Sequence, residues 1–311
     1  MTRAVVFAYH NVGVRCLKVL LAHGVDVVLV VTHDDNPGEA QWFASVAVSA
    51  IDYGIATIRP DDPNVPSLVA RIAALKPEFL FSFYYRRMLR APLLAIPACG
   101  ALNMHGSLLP RYRGRAPVNW AVLHGERETG ATLHYMTEKP DAGDIVAQTA
   151  VPILPDDTAR EVFDKVTVAA EITLDAALPR LRAGTAPRIP QDPTQASYFG
   201  GRKPEDGTID WSRPAKAVHD LVRAVAPPYP GAFTTLNGVR TRILRTRLVD
   251  AVAPPTLTPT LEVRDGRICA HCGGGGMLQV LEVEIDGAAA TPSALVARFG
   301  SAPAILGGVS R

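Results

Sequence analysis

The sequence predicts an α/β protein: an open sheet of Rossmann type in the first half, followed by a small β-barrel. Three observations lead there. Short apolar runs alternate with helix-period segments over the first half. Those runs are apolar throughout, the pattern of strands buried on both faces of a parallel sheet. Beyond a stretch rich in Pro, Gly, Gln and Thr, Gly184 to Gly207, the pattern changes to several short strands separated by turn signals, which suits a small barrel. The 311 residues suffice for two domains with cores of their own. We place them at residues 1–189 and 208–311, with 190–207 as a linker.

In chain order, strands are expected at Ala4–Tyr9, Val25–Val31, Ile55–Ile58, Glu78–Phe83 and Gly100–Met104. Helices are expected at Val14–His23, Gly38–Tyr53 and Ser67–Leu75. In the first of these, Val14, Leu17, Leu20 and Leu21 follow the 3.6-residue period. Next come a strand at Ala131–Met136, a loop at Thr137–Gly143, a strand at Ile145–Val151 and a long helix at Ala159–Arg182. Asp156-Asp157-Thr158 reads as the helix start signal rather than as a pair of acid–base carboxylates. The second half offers a helix at Pro214–Val225. Strands follow at Ala232–Leu236, Thr241–Val249, Leu261–Arg264, Arg267–His271 and Leu278–Ile285.

Composition excludes several classes. Charged residues make up 20% of the chain and the formal net charge is +2, too nearly balanced for a generic polyanion binder. The N-terminus runs straight into a strand pattern, so no secretory signal is expected and a cytoplasmic location is. No apolar run approaches the ~20 residues a membrane span needs. Cys16, Cys99, Cys269 and Cys272 are expected to be free thiols. Cys269-Ala-His-Cys272 lacks the two further ligands zinc requires, so no metal is expected. Tyr9-His10-Asn11-Val12-Gly13 supplies one glycine where a dinucleotide fingerprint needs three, so NAD is not expected.

The chemistry concentrates in Asn103-Met104-His105 and the loop behind it, Gly106 to Pro117. Alternate strand residues share a face, so Asn103 and His105 point the same way. An amide there can hold a developing oxyanion while an imidazole moves a proton, the minimum for acyl transfer to an amine. Such strand ends are where open α/β sheets bind ligands, as are Tyr9-His10-Asn11, Thr32-His33-Asp34 and Tyr84-Tyr85. The loop from Lys139 to Asp144 lies between two strand runs at the same kind of position. A carboxylate from it would fix the imidazole tautomer. Asp141 is the candidate and Asp144 the competitor. Arg111, Arg113 and Arg115 make the loop cationic, suited to an anionic substrate.

Asn-x-His, Ser-Leu-Leu-Pro-x-Tyr-Arg-Gly-x-x-Pro and the Asp-Ala-Gly loop resemble the folate-dependent formyltransferases, over nearly the whole chain. These carry a formyl group from 10-formyltetrahydrofolate to an amine. The resemblance implies a Rossmann-type formyl-transfer domain, a linker and a C-terminal barrel related to OB-folds. It places the catalytic trio on Asn103, His105 and Asp141, which decides for Asp141 over Asp144. It implies that Asn103 donates to the oxyanion, His105 handles the proton and Asp141 orients His105. It lays the folate along Arg87-Met88-Leu89, Arg115 and the loop Thr137-Glu138-Lys139-Pro140-Asp141.

Within the family, the sequence is most similar to the branch formylating UDP-4-amino-4-deoxy-L-arabinose in lipid A modification. The likeness lies in residues 7–10, 32–39, 81–86, 114–120 and 222–226. The branch acting on methionyl-tRNA typically carries a long basic insertion after the second strand. Here that place holds Asp34, Asp35 and Glu39 with no lysine, a charge that repels a phosphate backbone. Residues 208–311 hold 11 Lys/Arg against 8 Asp/Glu, with Arg240, Arg242, Arg245 and Arg247 clustered, and a tRNA clamp needs a broader basic face. A sugar nucleotide and a folate are therefore the expected partners, without nucleic acid or membrane. Methionyl-tRNA or another amino sugar nucleotide is the alternative acceptor.

Overall fold

The structure, a computed structural model, describes residues 1–34 and 41–306. They gather into two compact units. The first comprises residues 1–117, 128–152 and 163–200, the second residues 118–127, 153–162 and 201 onward. We propose the linear division at 189 and 208 for the order of the chain; by packing, residues 190–200 belong with the first unit.

The first half runs β1 (Arg3–Ala8), α1 (His10–Ala22), β2 (Asp26–Val31), α2 (Val46–Asp52), β3 (Thr57–Ile58), α3 (Pro66–Ala74), β4 (Phe79–Phe83), α4 (Ala91–Leu94) and β5 (Gly100–His105). Then come β6 (Arg113–Gly114), α5 (Pro117–Leu123), β7 (Glu128–Tyr135), β8 (Ile145–Pro152), α6 (Ala159–Arg182) and β9 (Tyr198–Phe199). The main sheet has the order β3-β2-β1-β4-β5-β7-β8. Its first five strands are parallel, and β7 and β8 extend it in antiparallel fashion. The parallel strands are buried because helices cover both faces, which is why they read as unbroken apolar runs. Val5, Phe7, Leu29, Val31, Leu80 and Ala101 pack against Leu68 and Ile72 of α3 and Leu93 of α4. Each large apolar side chain buried there contributes roughly 1.5–3 kcal/mol. Gly13 is required by close packing: a Cβ would stand 2.9 Å from Val46 Cγ2 and 3.1 Å from Ala8 Cβ.

Two differences from the sequence reading matter. The helix expected at Gly38–Tyr53 begins at Val46, where the Ser45 hydroxyl accepts from the Val48 N–H at 3.3 Å. Residues 35–40, including Asp35, Gly38 and Glu39, lie outside the described residues. The helices α4 and α5 and the two-residue strands β6 and β9 are too short to carry a periodicity. The start of α6 fits its signal. Glu161 accepts from the Thr158 N–H at 2.7 Å and its own N–H donates to the Thr158 hydroxyl at 3.3 Å, a capping box.

The second unit contains α7 (Ala215–Val225), β10 (Ala232–Leu236), β11 (Val239–Asp250), β12 (Thr260–Arg264), β13 (Arg267–His271), β14 (Met277–Ile285), β15 (Ala288–Ala289), α8 (Pro292–Phe299) and β16 (Ala304–Ile305). Its antiparallel sheet runs β10-β11-β14-β13-β12-β16, and a bridge between Leu236 and Leu306 brings its two edges together. The result is a nearly closed antiparallel barrel, as expected. Trp211, Val218, Val222, Val225 and Leu295 fill its core. The helix α7 also holds the two segments drawn from the first half of the chain. Asn119 Nδ2 donates to Ala224 O at 2.9 Å, His219 Nε2 to Pro155 O at 2.9 Å and Arg223 Nη1 to Asp157 O at 3.1 Å. Arg223 is itself paired with buried Asp220 at 2.8 Å.

The four cysteines are free. Cys269 lies in β13, and burial pushes the Cys272 thiol up to about 12, so it stays protonated at neutral pH. Among the described residues no three His, Cys, Asp or Glu stand close enough together to hold a metal. No described helix is long and apolar enough to cross a membrane.

Candidate active site

The site is built on the carboxyl end of β5. Asn103 and His105 share a face there, and β7 runs antiparallel beside them with His134 directly opposite Asn103. The loop carrying Asp141 does not leave from that end. Met136 N–H bonds to Ala101 O at 2.8 Å, near the start of β5, so residues 137–144 begin at the opposite end of the strand and turn back over the sheet. The loop does lie at a strand end, that of β7, and it reaches His105 only by this turn. The turn back requires Asp141 to sit at φ +53°, a left-handed conformation uncommon outside glycine. Gly143 follows because a Cβ there would lie 1.9 Å from Tyr135 O.

The turn delivers the Asp141 carboxylate into the site. Asp141 Oδ1 lies 3.5 Å from His105 Nδ1, and Oδ2 accepts the Gly114 N–H at 2.8 Å. Asp144 instead uses its backbone, accepting the Tyr135 N–H at 2.9 Å. His105 is buried, and its Nε2 donates to Tyr112 O at 2.8 Å. With Nε2 holding a hydrogen, Nδ1 is the nitrogen free to take a proton, and a proton arriving there meets a carboxylate. Burial alone would raise the Asp141 pKa. The His105 ring and then the Gly114 N–H outweigh it and hold the carboxyl well below the usual range. Asp141 is thus a fixed negative charge at neutral pH.

His134 is a site residue that sequence reasoning missed. It is 1% exposed, an unusual depth for a histidine in a strand. Its Nδ1 donates to Tyr135 O at 2.8 Å, so its Nε2 is an acceptor and receives Asn103 Nδ2 at 3.1 Å. That bond fixes which way the Asn103 amide faces and leaves its second N–H to serve a substrate oxygen. His134 Nε2 also lies 3.7 Å from Asp141 Oδ1, too far for a hydrogen bond. The available signal was the alternation Thr132, His134, Met136 in a strand preceding the Asp141 loop.

The expected folate-binding residues divide. Arg87 is exposed and faces Asp61 at 3.9 Å. The Met88 side chain is exposed while its carbonyl accepts from Asn64 Nδ2 at 3.0 Å. The Leu89 side chain is buried in the core, which leaves only its backbone for a ligand. Thr137, Glu138 and Lys139 are exposed, and Thr137 Oγ1 donates to Lys139 O at 2.9 Å. Pro140 is half-buried. Arg115 is exposed with its N–H bonded to Phe199 O at 2.9 Å. Of the three loop arginines, Arg113 is turned inward, with Nη2 2.7 Å from Gln191 Oε1; Arg111 and Arg115 are the ones at the surface.

Among the strand-end aromatics, Phe81 and Phe83 are core residues whose rings stack at 5.6 Å. Tyr85 is half-buried and stacks on His33 at 4.1 Å. Burial, and then Arg87 and Arg86, lower the His33 pKa to about 4. That ring is neutral at physiological pH, and its Nε2 accepts the Arg86 N–H at 3.0 Å. Of the acidic residues expected to repel a phosphate backbone, exposed Asp34 faces Arg59 at 3.4 Å; Asp35 and Glu39 lie outside the described residues.

Several solved structures share this fold. An N-formyltransferase from Helicobacter canadensis, solved with folinic acid and dTDP-3-aminofucose, matches with a TM-score of 0.69 at 20% identity, over 90% of this chain and 99% of its own. WlaRD, a sugar 3N-formyl transferase solved with dTDP and 5-N-formyl-THF, matches with 0.72 at 18% identity, over 93% and 99%. A sugar N-formyltransferase from a Shewanella species matches with 0.62 at 20% identity, over 80% and 99%. At the level of sequence families, the Formyl transferase profile matches residues 11–178 and the Formyl transferase C-terminal domain profile matches residues 202–299. The first covers the strand carrying Asn103 and His105 together with the Asp141 loop, and the second covers most of the barrel. The chain belongs to the formyl transferase family.

Proposed function

We propose that this formyltransferase moves the formyl group of 10-formyltetrahydrofolate onto the 4-amino group of UDP-4-amino-4-deoxy-L-arabinose. The observation that carries the chemistry is the convergence of Asn103, His105 and Asp141, with Asp141 held as an anion 3.5 Å from His105. The neutral amine attacks the formyl carbon, a C–N bond forms and the carbonyl oxygen gains charge. The free N–H of the Asn103 amide donates to that oxygen. As the intermediate collapses, the bond from the formyl carbon to folate N10 breaks. His105 takes the amine proton and returns one to N10, while Asp141 stabilises the imidazolium between the two steps. Loss of an oxyanion donor of this kind typically costs ~10²–10³ in turnover.

The folate is assigned to the backbone of residues 87–89, which follow β4, and to the loop 137–141 that carries Asp141. The folate ligands of the Helicobacter canadensis enzyme and WlaRD support a folate donor. For the acceptor, the sequence likeness in residues 32–39, 81–86 and 114–120 supports the UDP-linked 4-amino sugar. A second reading, a dTDP-linked amino sugar, is favoured by the nucleotides bound in those same two structures.

The test is an end-point assay by mass spectrometry with 10-formyltetrahydrofolate. It offers UDP-4-amino-4-deoxy-L-arabinose, a dTDP-linked amino sugar and methionyl-tRNA in separate reactions. The proposal predicts the mass of one added formyl group on the UDP sugar. Product on the dTDP sugar alone transfers the assignment to the second reading, and product on methionyl-tRNA alone overturns both.

A further inference from the structure

The stretch from Ile189 to Phe199, which the sequence presents as linker, is laced into the site. Ile189 exchanges two backbone hydrogen bonds with Ile145, at 2.8 and 3.0 Å. Ser197 O accepts the Arg113 N–H and Phe199 O the Arg115 N–H, each at 2.9 Å. The Ser197 hydroxyl accepts the Tyr112 N–H at 2.9 Å. The approach is tight enough that a Cβ on Gly114 would lie 2.1 Å from Phe199 O.

Gln191 stands at the centre of this strap. Its Nε2 donates to Asp141 O at 2.9 Å and to Gly143 O at 2.7 Å, which uses both amide hydrogens on the loop that carries the carboxylate. Its Oε1 accepts from Arg113 Nε at 3.2 Å and Nη2 at 2.7 Å. A guanidinium only donates, so Arg113, itself 7% exposed, dictates which end of the amide faces the loop. The loop needs such a restraint. Asp141 holds a left-handed backbone at φ +53°, a state that persists only where the surroundings over-determine it.

We propose that Gln191 is a positioning residue for Asp141, clamping the loop so that the carboxylate meets His105, with Arg113 setting the orientation of the amide. The proposal rests on the reading of Asn103, His105 and Asp141 as the reacting trio. On it, the segment that joins the two halves of the chain is part of the machinery for formyl transfer.

The experiment is a double-mutant cycle on the full chain with Q191M, Q191E and D141N. Turnover, both KM values and the melting temperature are measured for each protein. Gln191→Met keeps the length of the side chain without its polar atoms, and Gln191→Glu keeps the acceptor but cannot donate. Misplacing a reacting group by about an ångström costs up to ~10²-fold. Each Gln191 variant is therefore expected to lower kcat by about 10–100-fold with both KM values within about threefold. In the D141N background the same change should cost less than about threefold, because its effect passes through Asp141. Wild-type kcat in Q191M and Q191E, or an equal loss in both backgrounds, overturns the proposal. Full activity in D141N alone overturns the trio and the proposal together, whereas an inactive D141N beside active Gln191 variants overturns the proposal only.

Discussion

At the scale of single residues, the site depends on a carboxylate that the fold keeps ionised. Because the folded state lowers the Asp141 pKa, it binds that proton more weakly than the unfolded chain does. The resulting stability is present in full above the ordinary carboxyl pKa of ~3.9 and is lost as pH falls through the folded value. Wild-type protein should therefore be more stable than Asp141→Asn at neutral pH, and the gap should begin to shrink below about pH 4. Urea midpoints measured across that range check this, and a gap that widens on acidification contradicts it. Asn103 and His105 were legible because strand alternation is local: two residues apart means one face. Spacing alone left Asp141 and Asp144 open, and only the family resemblance chose between them. His134 was not legible, because its role comes from standing opposite Asn103 across β5 and β7, a register set by tertiary pairing. Gln191 was hidden for the same reason, since its partners lie up to 78 positions away.

At the scale of elements, the parallel strands were readable because burial on both faces leaves a run of apolar side chains. The pairing of β6 with β9 was not, since two residues have no period. Yet that pairing brings the strap to the loop behind His105. Gly114 is its tightest point, with φ +98° and Phe199 O where a Cβ would be. Gly114→Ala should therefore be destabilised by about 1–3 kcal/mol or more. It should also lose activity, because the Gly114 N–H anchors Asp141 at 2.8 Å. Chemical denaturation paired with the formyl-transfer assay checks both effects; a variant with unchanged midpoint and turnover contradicts the role given to this strand pair. The helix α8 could have been read from Thr291-Pro292, whose hydroxyl and ring form its cap and first position.

At the scale of the whole molecule, the order of an α/β half followed by a barrel was legible because the hydrophobic period itself changes after Gly207. The membership of residues 118–127 and 153–162 in the second unit was not. Those segments are held by buried polar contacts to α7, from Asn119, Pro155 and Asp157, and such contacts leave no mark on a hydrophobic pattern. Formyl transfer by Asn103, His105 and Asp141 is the claim that unites these scales, and the His105→Ala variant tests it most directly. With 10-formyltetrahydrofolate and the UDP-linked amino sugar, kcat should fall by about 10²–10⁴-fold while the circular dichroism spectrum and melting temperature stay close to wild type. Near-wild-type turnover in a folded His105→Ala protein would contradict the account.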